Sequence, residues 1–66
     1  MTYTHLEITD RASGEVERIH LDDPNSSASI ALAAESCGIL PEEASQRLSR
    51  GEHLTTAGFV RRFVSS

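Results

Sequence analysis

Two short stretches of alternating apolar and polar residues open the chain. Thr4, Leu6 and Ile8 alternate with Tyr3, His5 and Glu7, and further on Glu17, Ile19 and Leu21 keep one phase. A two-residue period marks half-buried strands, because successive side chains on a strand leave opposite faces. Between the runs, Asp10-Arg11-Ala12-Ser13-Gly14 supplies an Asx side chain to open a turn and a glycine free to take a positive φ. A β-hairpin is therefore predicted. Val16 falls out of phase with Ile19 and Leu21, which predicts a bulge near Gly14 or an edge position.

The polar segment Asp22-Asp23-Pro24-Asn25-Ser26-Ser27 reads as the connector, with a proline and several residues able to cap a helix. Beyond it Ile30, Ala33, Ala34 and Cys37 fall at helical spacing on one apolar stripe, which places Cys37 in the core. Gly38 follows as the residue that ends the helix, with Ile39 positioned to fold back on its last turn. Pro41, Glu42 and Glu43 suit the first turn of a second helix; Ala44 and Leu48 form its apolar face and Gly51 stops it. The short gap between the helices forces a tight, helix-turn-helix-like junction. Phe59, Arg61 and Phe63 then alternate with Val60, Arg62 and Val64, which predicts a strand. The same residues also pair at i and i+4, so over residues 55–64 a helix capped by Thr55 or Thr56 is the alternative. The fold class is α+β, in the order ββααβ, as a single small domain over residues 1–66.

Sixty-six residues make one core, and a chain of that size buries only roughly 60% of the surface its unfolded form exposes. A deep substrate pocket is hard to sustain at this size, which favours function at the surface. One cysteine cannot form an internal disulfide. The start of the chain lacks the basic and apolar runs of a signal peptide, and no stretch reaches transmembrane length, so a cytoplasmic protein without membrane contact is expected. Six arginines and no lysine suggest the coding bias of a GC-rich bacterium or its phage.

The net charge of −4 opposes non-specific nucleic-acid binding. Its distribution is uneven. Residues 1–46 carry nine acids against Arg11 and Arg18, whereas residues 47–66 carry Arg47, Arg50, Arg61 and Arg62 against Glu52 alone. Two candidate surfaces follow. Arg47 and Arg50, three apart on the second helix, make a phosphate-facing patch that Arg61 or Arg62 joins if the last strand runs alongside. The hairpin and connector, through Glu7, Asp10, Glu15, Glu17, Asp22 and Asp23, offer an acidic surface to a basic groove.

Catalytic and metal chemistry find little support. His5, His20, His53 and Cys37 include no pair at a ligand spacing, so neither a metal nor a cofactor is predicted. His5 and His20 meet across the hairpin if Ile8 meets Glu17, and there they read as two solvated imidazoles. No Ser, His and acid set has local context for nucleophilic catalysis, and adjacent Glu42 and Glu43 point about 100° apart on a helix. An enzyme is not expected.

From Ser29 onward the chain resembles the nuclease-associated modular repeats found beside the catalytic domains of phage and intron homing endonucleases. Ser29-Ile30, Ala33-Ala34, Gly38-Ile39, Leu48, Gly51, Gly58-Phe59 and Phe63 carry the resemblance. The preceding extended run, with Asp10, Gly14-Glu15 and Ile19, looks like the strand pair that leads into such a repeat. The resemblance implies DNA binding through the second helix, with Ser45, Gln46, Ser49 and Arg50 facing nucleic acid and Arg47 at the flank. Two readings of function result. In the first, the chain is a non-catalytic DNA-binding or regulatory module of phage or bacterial origin, with Arg47, Arg50, Arg61 and Arg62 on phosphates and a homodimer enlarging the footprint. In the alternative it is an acidic inhibitor or adaptor that occupies a basic protein handling nucleic acid.

Overall fold

The computed structural model describes residues 2–65. Strand β1 (His5–Asp10) and strand β2 (Val16–His20) form the hairpin, followed by helix α1 (Pro24–Cys37) and helix α2 (Pro41–Ser49). Two strands close the chain, β3 (Leu54–Thr55) and β4 (Phe59–Val64). The α+β class and the ββααβ order hold, with the two-residue β3 as an addition that the sequence pattern is too short to display. All pairings are antiparallel in one sheet of order β2-β1-β4-β3, so the first and last long strands lie together at its centre.

Local chemistry sets each junction. In the hairpin, Asp10 Oδ1 accepts from the backbone N–H of Ala12 (2.8 Å) and Ser13 (3.3 Å), and Gly14 takes a φ of 78°. The displaced phase of Val16 resolves as an edge position, since β2 pairs only with β1. Helix α1 begins earlier than the polar composition suggests. Asp23 caps it by accepting from the Asn25 N–H at 2.8 Å, Pro24 is its first residue, and the connector shrinks to the residues just before them. Ser26 is buried within the first turn because its hydroxyl donates to the Leu21 carbonyl at 3.1 Å, which satisfies a polar group that burial would otherwise penalise.

The helices cover one face of the sheet. Leu6 and Ile8 of β1 and Leu54 of β3 meet Ile30, Ala33 and Ala34 of α1 and Ala44 and Leu48 of α2, with Ile19, Leu21, Ile39 and Phe63 packed around them. Alanines at the helix contact let the two backbones approach closely, while Leu6 and Leu48 fill the space beneath. Cys37 departs from its expected place. It is exposed, because the last turn of α1 runs past the core that Ile30, Ala33 and Ala34 occupy.

The helix junction turns on Gly38, whose φ is 71°, while the Ile39 N–H returns to the Ala34 carbonyl at 3.0 Å. A Cβ built at Gly38 meets nothing within 4 Å, so the cost of a side chain there is conformational rather than steric. Gly38→Val is expected to destabilise the domain by about 1 kcal/mol or more, since a β-branched residue resists positive φ. Thermal melting by circular dichroism checks this, and an unchanged midpoint would contradict the junction.

Candidate functional site

The arginines expected to face phosphate are already engaged. Arg47 Nη2 donates to Glu43 at 3.0 Å, one turn earlier on α2, and Arg50 Nε donates to Glu52 at 3.0 Å. These exposed pairs are worth little in stability, but they set the local charge. Two arginines are balanced against Glu42, Glu43 and Glu52, so α2 and its flank carry a net negative charge. Gln46 and Ser49 are exposed, whereas Ser45 is half-buried beside Ser27, Ile30 and Pro41 in a cleft between the helices.

Arg61 and Arg62 do not join that patch together, because consecutive strand residues leave opposite faces. Arg61 turns inward and is only 4% exposed. Its Nε donates to the Ser29 hydroxyl on α1 at 2.9 Å, and its guanidinium lies 5.4 Å from the centre of the Phe59 ring. Burial pushes its pKa down from the ordinary arginine value, yet a guanidinium stays protonated and therefore needs these partners. Arg61 ties the sheet to α1 and is withdrawn from any phosphate.

Arg62 leaves the uncovered face of the sheet, where Glu7 stands between it and Arg18 in one row across β4, β1 and β2. Arg62 Nε donates to Glu7 Oε1 at 2.8 Å and Arg18 Nε to Oε2 at 3.1 Å. Glu7 is thereby screened from solvent by two flexible side chains, and it leaves the acidic surface on which the sequence placed it. The Arg62 hydrogen bond is the main cause that holds its carboxyl below the ordinary value of 4.5; burial opposes this and Arg18 reinforces it. In the unfolded chain the carboxyl titrates at its ordinary value, so ionised Glu7 contributes stability that is complete above pH 4.5 and lost as pH falls through the lower folded-state pKa. Glu7→Gln should flatten the fall of melting temperature on acidification below that point, while parallel curves for the two proteins would contradict it.

The remaining acids of the hairpin are differently placed. Glu15, Glu17, Asp10 and Ile8 share the helix-facing side of the sheet, where Ile8 stands between Glu17 and Arg61 and Asp10 lies opposite Phe59. Past the end of the helix layer these residues and Val16 line an open cleft of about 360 Å³, with no helix residue in its wall. Its apolar part is the Phe59 ring, 40% exposed, whereas Val16 borders it from the strand edge and, opposite Thr9, turns its side chain to the uncovered face beside Arg18 and Arg62. Asp10 spends one oxygen on the turn, whereas among the described residues the Glu15 and Glu17 carboxylates have no polar partner and both side chains are exposed. Beyond Phe59 the apolar surface continues to Leu32, which is 59% exposed, along Ala57 and Gly58. Of the other two predicted acids, Asp23 is committed to its helix cap and Asp22 is exposed on the connector.

No family model, no curated protein and no solved structure matches this chain. The likeness to nuclease-associated repeats rests on the residues quoted for it and lends no further weight to α2. Phe59 and Val16 are the site residues that the sequence left unassigned. The broken phase of Val16 signals only that its side chain leaves from the uncovered face, opposite Thr9, and the sequence carried no signal for Phe59 at this site. Among the described residues no helix is long and apolar enough to cross a membrane.

Proposed function

We propose that this chain is a non-catalytic binding module that docks a cationic segment of another protein on the acid-rimmed ledge at the hairpin end. The observation that carries the reading is the pairing of free Glu15 and Glu17 carboxylates with the exposed ring of Phe59 around one cleft. Arginine suits such a site well. Its guanidinium meets a carboxylate in a bidentate fork, and its stem and plane pack on an aromatic ring. An aromatic anchor with a charged rim is also how small interfaces concentrate their binding energy. The ledge is open to solvent along its length, which favours recognition over chemistry that must exclude water.

The same charges argue against the DNA reading, because α2 presents more acids than arginines and Arg61 is unavailable. A single exposed cysteine fits a reducing, cytoplasmic setting for the encounter. Fluorescence anisotropy with a labelled hexa-arginine peptide and a labelled DNA duplex, each at several salt concentrations, tests the assignment. The peptide is expected to bind and to weaken steadily with added salt, and the duplex to show no saturable binding at low salt. A duplex that binds more tightly than the peptide would return the function to nucleic acid.

A further inference from the structure

The two histidines that open β1 and close β2 meet across the hairpin, in step with the pairing of Ile8 and Glu17. His5 and His20 are cross-strand partners, and their ring centroids lie 4.1 Å apart with the planes tilted by 41°. The hydrogen bonds from the Asp10 N–H to the Glu15 carbonyl and from the Leu21 N–H to the Thr4 carbonyl fix the phase of this ladder. His5 and His20 therefore occupy a non-hydrogen-bonded position, where facing side chains come closest, with Cα atoms about 4.5 Å apart. Both project from the uncovered face of the sheet, at the end of the hairpin opposite the acidic ledge and on the other side of the sheet.

One ring is already oriented. His5 Nδ1 lies 2.7 Å from the Thr4 hydroxyl oxygen, which accepts a hydrogen bond from Nδ1–H in the tautomer that leaves the Nε2 lone pair free. Fixing a tautomer through the far nitrogen is the usual task of the groups behind a metal-bound histidine. Two imidazoles that share one ion at a metal–nitrogen distance of about 2.1 Å hold their centroids roughly 4.5 to 5.3 Å apart, for angles between a right angle and a tetrahedral one. The present separation of 4.1 Å is shorter than this range by about 0.4 Å at a right angle and about 1.2 Å at a tetrahedral one, so χ rotations of a half-buried and an exposed ring must spread the pair to seat an ion.

From this geometry we infer that His5 and His20 form a two-histidine chelate for a borderline divalent cation such as Zn²⁺ or Ni²⁺, held through their imidazole nitrogens. Among the described residues no group of three His, Cys, Asp and Glu side chains could hold a metal, so water supplies the other ligands. Glu7 stands in the next row but is committed to Arg18 and Arg62 and does not ligate. The bound ion staples the edge strand to the central strand, and it binds independently of any partner on the ledge.

Zn²⁺ titration of the full chain by calorimetry, together with imidazole ¹⁵N spectra, tests the site. One ion per chain is expected, with the His5 and His20 ring resonances shifting and those of His53 unmoved. His5→Ala or His20→Ala should weaken binding about tenfold or more, as expected when a two-ligand site loses one ligand, while His53→Ala leaves it unchanged. Zinc should raise the melting temperature of the wild type only, because it binds the folded pair. Absent saturable binding, undiminished binding in His20→Ala, or shifts confined to His53 would overturn the assignment. The wild-type spectra decide the matter even if a variant fails to fold.

Discussion

Leu48→Ala is expected to remove a large part of the stability of this domain. Leu48 is fully buried, and the residues it packs among at the helix contact, Ala33 and Ala34 of α1 and Ala44 one turn earlier on α2, are too short to close the space it would leave. Large-to-small changes at such positions cost about 2 to 5 kcal/mol, with the upper half applying where the surroundings cannot collapse. A domain of this length holds roughly 3 to 10 kcal/mol in all. The melting temperature should therefore fall by about 10 °C or more, at about 4 to 8 °C for each kcal/mol in a domain of this size. Urea denaturation checks it through a lower midpoint at unchanged slope, and Ser49→Ala, exposed on the same helix, is the matched control. A Leu48→Ala midpoint equal to that of the control would mean that α2 does not seat on the sheet through this residue.

Reversing Glu15 and Glu17 to lysine should have the largest effect on binding. Both carboxylates are exposed and without polar partners among the described residues, so the folded state loses no ion pair and the stability should stay within about 0.5 kcal/mol of wild type. The ledge, in contrast, exchanges two negative charges for two positive ones. Association of a hexa-arginine peptide should slow by about tenfold or more, and the residual binding should lose its salt dependence. Stopped-flow fluorescence measures the rate. Equal rates for the two proteins would remove the hairpin as the docking surface.

The elements were legible because each has a local physical cause written in a few residues. Alternation at Leu6 and Ile8, the glycines at 14 and 38, and Pro41 ahead of two glutamates each name a strand, a turn or a helix start without reference to the rest of the chain. Errors arose where tertiary context took over. Asp23 and Pro24 recruited the polar connector into α1, because a cap and a first-turn proline outweigh the composition of the serines that follow. Cys37 lies at the right spacing for the core but beyond its edge.

The candidate site was less legible because charge in a sequence says nothing of pairing. Arg47, Arg50 and Arg62 read as a free patch until Glu43, Glu52 and Glu7 are found beside them. Arg61 and Arg62 were separable in principle, since strand alternation places them on opposite faces. The burial of Arg61 against Ser29, thirty-two residues away, was not. The ledge needed the topology as well, because Phe59 reaches the hairpin acids only when β4 lies beside β1.

The most direct test of the account is a chemical-shift map of ¹⁵N-labelled protein titrated in parallel with hexa-arginine peptide and with a short DNA duplex. The account predicts saturable shifts at Asp10, Glu15, Val16, Glu17 and Phe59 with the peptide, and none at Ser45, Gln46, Ser49 or Arg50 with the duplex. Saturable shifts along α2 with the duplex, beside a hairpin that the peptide leaves unmoved, would contradict it.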